Sequence, residues 1–522
     1  MATVNRLVLK NFKRFKTLEL EFDAELNVLV GGNEAGKSTV LQALDLVLSA
    51  SVSRVEALGI ETLFNVECIK EFLKGERKLE NLPELYAEVY LCGINDRPDL
   101  DGRNNSKRAD QIGVRMICEP NDEYSNDIQA IISDKQQGSF PFEYYRTRFL
   151  GFGGKQISPY SKPLKQLLID SSEISNEYAT RYYTRSMYEA SSKAAERNLH
   201  DFRYRKMKLE FTESVFRGIN DAQETCKFDL RTGPKACVGS DVIITEGEIP
   251  IDSKGKGRQC FIKTSFAIRK PRRALDVLLL EEPENHLSHV HMHELVDQIQ
   301  NSEKRQLFIA THSSFIATRL GLKKVLILSE EKPSQPASLR SLSQETANFF
   351  MKAPDNNLLE LALCKKAILV EGDAEFILMD ALYKGSAGTA SAHKDGVHVI
   401  SLDGTSFKRY FEIAGILGIK VAAIRDNDGD YQANCVENYS DFARDSTKVF
   451  ADPDPARRTF EICMYQDNKD LCDNQFSASR RKLNVQDYML KNKADAAFKL
   501  LDAGLPLVAP KYIKDAVTWI RA

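Results

Sequence analysis

Two groups of residues in this chain have the types and spacing to handle phosphate. The first, Gly31-Gly32-Asn33-Glu34-Ala35-Gly36-Lys37-Ser38, fits G-x-x-x-x-G-K-[ST]. It stands between an apolar run, LNVLV, and a stretch whose Val40, Leu41, Leu44 and Leu48 recur at helical spacing, the setting that motif requires. A chance glycine turn would lack those flanks. Glycines let backbone N–H groups wrap phosphate oxygens, and the helix start adds partial positive charge. Lys37 has the reach for β- and γ-phosphates, and the Ser38 hydroxyl suits Mg²⁺. Gly31, Asn33, Gly36, Lys37, Ser38 and Thr39 are therefore the candidate contacts for ATP.

Three later segments could complete such a site. Val277-Leu278-Leu279-Leu280-Glu281-Glu282-Pro283 reads as a buried strand ending in two carboxylates. One acid can hold the hydration shell of Mg²⁺ and the next can orient an attacking water. Solvated acids at a strand end would look the same in isolation, but the upstream phosphate loop favours chemistry. Ser253-Lys254-Gly255-Lys256-Gly257-Arg258-Gln259 is a glycine loop before a helical stretch. Its Ser253 and Gly255 could present a hydroxyl and N–H groups to a γ-phosphate. Thr311-His312-Ser313 follows the strand QLFIA, where the His312 imidazole could sense the same phosphate.

The second group is acidic. Ala367-Ile368-Leu369-Val370 runs into Glu371-Gly372-Asp373-Ala374-Glu375, and Val421-Ala422-Ala423-Ile424-Arg425 runs into Asp426-Asn427-Asp428-Gly429-Asp430. Two strand ends of a parallel sheet that both present acids make a dense negative cluster, which divalent cations ordinarily offset. Oxygen-only ligands select Mg²⁺ or Mn²⁺ over zinc, and such ions can clamp both oxygens of a phosphodiester under attack. A calcium loop is the competing reading. Glu437 fits its twelfth position, but Tyr431 stands where its sixth requires glycine, and a strand rather than a helix precedes it.

These residues must be positioned by alternating strands and helices, an α/β fold with parallel sheets and chemistry at the C-terminal strand ends. At roughly 150 residues per domain, the chain is long enough for about three domains. From about residue 171 to 229 proline is absent and glycine scarce, so that stretch predicts long helices; strand texture is expected to return near residue 240 in DVIITEGEIPI. Net charge is −2, from 72 basic and 74 acidic residues, so nucleic acid would need a local patch to bind. No run approaches the ~18 apolar residues of a membrane helix. The N-terminus lacks a signal-peptide core, and ten cysteines show no CxxC pair for zinc. The expected location is the cytoplasm, with no membrane association.

In this order the four nucleotide-site segments resemble the ATP-binding cassette (ABC) fold, in the subclass shared with chromosome-maintenance and recombination ATPases. The resemblance implies that Glu281 is the metal-linked Walker B acid, where the family usually has aspartate, and that Glu282 is the hydrolytic glutamate. It makes residues 253–259 the signature loop and His312 the switch histidine, with ATP sandwiched in a dimer. The E-G-x-x-E and D-x-D strand ends resemble the Toprim fold of topoisomerases, primases and certain nucleases. Together they resemble the OLD (overcoming lysogenisation defect) nucleases, a family that includes the nuclease subunit of the Gabija antiphage system. Glu371 and Glu375 match the family's first acidic motif, and Asp426 and Asp428 its second. Thr459-Phe460-Glu461 matches a later motif whose glutamate joins the metal, and Asn492-Lys493-Ala494 the motif whose lysine stabilises charge at the scissile phosphate.

The resemblance implies an ABC ATPase over residues 1–170 and 230–345, a helical dimerisation insertion over 171–229, and a Toprim domain with C-terminal helices over 360–522. It implies a metal-dependent DNA endonuclease of antiphage defence, a homodimer or larger, with a helicase-like subunit or a retron reverse transcriptase and its DNA as further partners. An ATP-driven sensor or scaffold, or a topoisomerase-like enzyme, are the alternatives. Residues 181–208 carry eight basic side chains interleaved with aromatics, suiting either a DNA-binding arm or a solvated dimerisation arm. His289 and His293 lie one helical turn apart, a spacing open to metal, but no cysteine lies near. The basic run Arg269-Lys270-Pro271-Arg272-Arg273 reads as a solvated loop.

Overall fold

The computed structural model describes residues 2–522 apart from 134–137, 174–175, 223–224, 234–235, 271–274, 303–304, 331–333, 354–356, 389–390, 405 and 477–482. Most of the basic run at 269–273 therefore lies outside the described residues. The chain divides into two compact units, Met1–Ile316 with Leu328–Pro336, and Ala317–Ile327 with Ala337–Ala522.

In the first unit, four parallel strands lie in the order Leu26–Gly31, Gln306–Ala310, Val277–Glu281 and Gln166–Asp170. They are almost wholly buried, as expected of parallel strands covered on both faces. Register pairs Glu281 with both Ala310 and Asp170, so the C-terminal strand tips line up at one edge. An antiparallel sheet of Phe15–Glu21, Thr3–Phe12, Leu85–Cys92 and Gln111–Pro120 alternates buried and open positions along its edge strand. Gln306 stitches the two sheets together. Its Oε1 accepts from the Val4 N–H at 2.7 Å, and its Nε2 donates to the Val4 and Asp23 carbonyls at 2.6 and 2.8 Å.

The helical stretch forms Glu177–Ser191 and Ala194–Val215. The first is anchored by buried Tyr183, whose hydroxyl donates to the Lys263 carbonyl at 2.6 Å; no residue of the second is buried. The strand texture expected near residue 240 is largely absent. A short helix, Val238–Asp241, stands there, followed by two-residue strands Thr245–Glu246 and Ile249–Pro250. The apolar residues of DVIITEGEIPI find no sheet to join beyond this hairpin, and Ile243 and Ile249 stay exposed.

In the second unit, parallel strands run in the order Val397–Ser401, Lys366–Val370, Lys420–Ile424 and Thr447–Phe450. The fourth, a short strand between polar flanks, carries little signal along the chain. Helices Asp373–Ala387, Lys493–Asp502 and Lys511–Arg521 share one core with the sheet, built on Ile368, Leu378, Leu382, Leu500, Ile513 and Ile520. No described helix is long and apolar enough to cross a membrane.

Gln306→Ala should cost the first unit about 2–4 kcal/mol, because both backbone polar groups of buried Val4 lose their partner. Hydrogen exchange along Thr3–Phe12 and Gln306–Ala310 in mild urea measures it; unchanged protection would oppose this account.

Candidate active sites

The phosphate loop links strand Leu26–Gly31 to helix Lys37–Ser49. Gly36 takes φ 99°, and a Cβ there would lie 2.4 Å from the Phe15 ring, so only glycine fits. The Lys37 ammonium folds back on its own loop. It donates to the Gly31 and Gly32 carbonyls at 3.1 and 3.0 Å and sits 2.8 Å from His312 Nε2. A ring nitrogen accepting from lysine assigns the imidazole proton to Nδ1. Burial pulls Lys37 below the usual lysine range, while Glu282, Glu281, Glu284 and Glu330 oppose that shift. Asn33 is exposed at the loop's crest, and Ser38 and Thr39 open the helix.

Glu281 ends its strand half-buried, hydrogen-bonded by the Ser38 hydroxyl. Burial raises its carboxyl above the usual range; Ser38 opposes, and Asp170 and Glu282 push it further up. Glu282 lies beyond the tip, its Oε1 3.6 Å from His312 Nε2. Lys37, Ser38, Glu281, Glu282 and His312 are thus brought together. Asp170 joins them from the neighbouring strand and was missed, although QLLID ends an apolar run in an acid just as VLLLEE does.

Residues 253–259 form a turn into helix Lys256–Ile268, with Ser253 closing a short 3₁₀ segment and Gly255 at the N-cap. Lys254 and Arg258 both pair with Glu246, and the Gln259 amide donates to the Asp252 and Lys254 carbonyls. Gly255 has open space where a Cβ would stand. At Gly257 a Cβ would meet the His286 carbonyl oxygen at 2.1 Å, so packing demands glycine there. Nearby, His291 stacks on Phe261 and His293 meets Phe315 edge-on, so both rings serve packing.

In the second unit, the neighbouring strands Lys366–Val370 and Lys420–Ile424 deliver Glu371 and Asp426 to one edge. The Asp426 N–H approaches Glu371 Oε2 at 3.4 Å, and Asp426 Oδ1 accepts from the Phe460 N–H at 2.7 Å. Glu375 comes from helix Asp373–Ala387 and Glu461 from helix Phe460–Asp467. Lys493 opens its helix with Nζ 3.1 Å from Glu461 Oε1, while Glu461 Oε2, in a residue only 3% exposed, has no hydrogen-bond partner among the described residues.

Asp428 lies at the rim of the cluster, near enough to Glu371 for its charge to raise that carboxyl. It takes a left-handed φ of 52°, is half-exposed and faces the Arg425 guanidinium at 3.6 Å. Asn427 between the two acids is buried, its amide donating to the Asp452 and Asp454 carbonyls at 2.7 and 2.9 Å. That positioning role was not foreseen, since an asparagine inside an acidic run carries no sequence signal for it.

Burial, then Glu375, Glu371 and Glu461, push Asp426 up to about 8. Burial chiefly lifts Glu375 to about 7, with Glu461 and Glu371 adding to it, and burial also raises Glu371. Burial alone would lower Lys493, but Glu461, Asp426 and Glu375 outweigh it and the ammonium is raised. An all-oxygen, like-charged donor set with a buried orphan oxygen fits a hard divalent cation. Among the described residues no three acidic, histidine or cysteine side chains already converge as a metal cage, so an ion would have to draw them inward.

The family described as "AAA domain, putative AbiEii toxin, Type IV TA system" matches residues 26–318, more than half the chain, which belongs to it. The family described as "Overcoming lysogenization defect protein-like, TOPRIM domain" matches residues 363–428. The chain thus joins an ATPase domain of the first family to an OLD-like Toprim domain. Curated relatives include the DNA replication and repair protein RecF of Halalkalibacterium halodurans, 27% identical over 21% of this chain and 29% of that protein. RecF of Acetivibrio thermocellus is 32% identical over 15% and 22%. The chain thus spans under a third of these relatives' lengths. Solved structures that resemble it include an SmcHead bound to the C-winged helix domain of ScpA, with 14% identity, 65% and 100% coverage and TM-score 0.36. Another is the C-terminal region of the Xanthomonas campestris OLD protein, with 18% identity, 30% and 95% coverage and TM-score 0.23.

Asp426 and Glu375, at about 8 and about 7, lie above their ordinary values of 3.8 and 4.5, so the folded chain keeps protons that the unfolded chain releases. Their contribution to stability is whole below the ordinary values and is lost as pH rises through the folded ones. With metal chelated, melting of the second unit should fall between pH 5 and 8, and Mg²⁺ or Mn²⁺ should restore it more at pH 8. A metal-free melting temperature that is flat with pH, or equal in Asp426→Asn, would contradict the arrangement.

Proposed function

We propose that the chain is an ATP-binding and ATP-hydrolysing, divalent-metal-dependent DNA endonuclease of prokaryotic defence against phage or plasmid DNA. The observation that carries this reading is the cluster of buried Glu375, Asp426 and Glu461 and half-buried Glu371 beside Lys493, with a Glu461 oxygen unpartnered among the described residues. Glu371, Glu375, Asp426 and Glu461 would hold Mg²⁺ or Mn²⁺, with Asp428 at the rim. When bound, such ions supply an activated water and charge stabilisation for phosphodiester hydrolysis. Lys493 is placed to leave Glu461 for a phosphate oxygen, and Arg425 keeps Asp428 turned outward.

In the first unit, Gly31, Asn33, Gly36, Lys37, Ser38 and Thr39 would take the ATP phosphates. Glu281 and Ser38 hold the metal side, Glu282 orients water, and His312 reads the γ-phosphate. Ser253 and Gly255 would serve a second copy's nucleotide, in a homodimer or larger assembly that acts on DNA. A helicase-like subunit or a reverse transcriptase with its DNA would be a further partner.

One observation favours a second reading, in which the Toprim unit acts only within an assembly: the acids do not yet converge on a cage among the described residues. A topoisomerase-like reaction would need a tyrosine nucleophile. The Tyr383, Tyr439 and Tyr465 hydroxyls are engaged by Asp395, Arg425 and Asp473, and Tyr512 is buried, whereas half-exposed Tyr431 adjoins the acidic turn; a denatured enzyme–DNA adduct would reveal such a reaction.

Glu371→Ala or Asp426→Ala should abolish plasmid nicking or linearisation while ATP turnover stays at the parental rate. Lys37→Ala should lower ATP turnover at least about 100-fold, as loss of a phosphate-stabilising group does. Cleavage should require Mg²⁺ or Mn²⁺ and stop with chelator. Parental cleavage by both acid variants would place the nuclease site elsewhere; cleavage appearing only with a copurified partner would favour the second reading.

A further inference from the structure

The turn of residues 282–286, just past the acidic strand tip, is built with unusual backbone economy. Glu282 and His286 both adopt left-handed φ, 45° and 65°, a conformation that non-glycine residues rarely take. Asn285 Nδ2 donates to Glu282 Oε2 at 2.6 Å, and the His286 carbonyl presses on Gly257. Glu284 faces the loop that follows the neighbouring strand. Its Oε1 accepts three hydrogen bonds, from Thr311 Oγ1 at 2.6 Å, the His312 N–H at 2.9 Å and the Ser313 N–H at 3.2 Å. Its Oε2 is buried with no partner among the described residues.

A carboxylate with one oxygen carrying three donors and the other buried beside no described donor is a costly way to secure a loop. What that loop carries is His312, whose Nε2 lies 2.8 Å from Lys37 Nζ and 3.6 Å from Glu282 Oε1. The sheet fixes the strand tips, since Ala310 is in register with Glu281. Beyond the tips, the sheet's hold ends at the Thr311 N–H, which bonds the Leu29 carbonyl at 3.0 Å. The next two backbone N–H groups depend on the glutamate, with the Ser313 N–H shared with Thr311 Oγ1 at 2.9 Å.

We propose that Glu284 is a positioning residue for ATP hydrolysis: it clamps residues 311–313 so that the His312 imidazole stands between Glu282 and Lys37. The inference rests on the proposed nucleotide site. It makes Glu284 an acceptor, acting through His312 and not on the nucleotide. The acidic strand tip and the histidine loop then respond as one piece, because a single carboxylate joins the turn bearing Glu282 to the loop bearing His312.

The test compares Glu284→Ala, Glu284→Gln, His312→Ala and the Glu284→Ala/His312→Ala pair in the full chain. ATP turnover and affinity for a fluorescent ATP analogue are measured on each. Glu284→Ala should lower kcat about tenfold or more, to the level of His312→Ala, with analogue affinity within about twofold of the parent. The double variant should be no slower than either single one, as for two residues acting as a unit. Glu284→Gln keeps an oxygen that can accept from all three donors and should retain most of the turnover. Parental kcat in Glu284→Ala, additive losses in the pair, or a folded Glu284→Gln as slow as Glu284→Ala would overturn the proposal. Unimpaired turnover in His312→Ala alone would remove the reading of His312, and the proposal with it. Should Glu284→Ala fail to fold, Thr311→Val deletes one of the three donors: turnover several-fold lower, with no further loss on adding His312→Ala, supports the clamp, and parental turnover refutes it.

Discussion

Carboxylates desolvated at the C-terminal ends of parallel strands are the constraint on which the structure turns. A parallel sheet aligns its strand tips at one edge, so acids placed at the tips are brought side by side whether or not they tolerate it. Taken out of water, each resists ionisation, and each neighbour adds to the resistance. Burial raises Glu281 in the first unit and Glu371, Glu375 and Asp426 in the second for this one reason. Such an edge is costly until positive charge arrives, and nucleotide-bound or hydrolytic metal is the positive charge that fits.

The two units manage the cost differently. In the first, Lys37 lies within the acidic surroundings and is already engaged by two carbonyls and His312. Its charge is offset within the unit by the carboxylates of Glu282, Glu281, Glu284 and Glu330. In the second, Lys493 stands among four buried or half-buried acids and pairs with Glu461, while the Arg425 guanidinium faces Asp428 and partly offsets Glu371. The shortfall appears as raised carboxyl values and an unpartnered Glu461 oxygen. The first edge is poised for an anion that carries its own metal, the second for the metal itself.

Rigid elements carry both sets. Glu281, Glu371 and Asp426 ride on strand ends, while Lys37, Glu375 and Lys493 open or sit near the start of helices. Residues in the turns are held by side-chain bonds instead. Asn427 ties its turn to the Asp452 and Asp454 carbonyls, and Glu284 ties the histidine loop to the acid turn. The turns therefore depend on single polar side chains where the strands depend on a ladder.

The sequence by itself determined the chemistry and the order of the elements. The phosphate loop, the two acidic strand ends and the β/α alternation are local signals, because spacing and polarity along a few residues encode them. The glycine requirement at Gly36 was legible for the same reason. Tertiary structure decided what depends on distant neighbours. It brought Asp170 beside Glu281, demanded glycine at 257 through the His286 carbonyl, and set Asp428 against Arg425 at the rim of the acidic cluster. It also dissolved the strand expected near residue 240, where apolar residues had no sheet to join, and added Thr447–Phe450, which pairs with a strand over twenty residues upstream. Each of these rests on contacts between residues far apart in the chain, and a pattern read along the chain registers only its own neighbours.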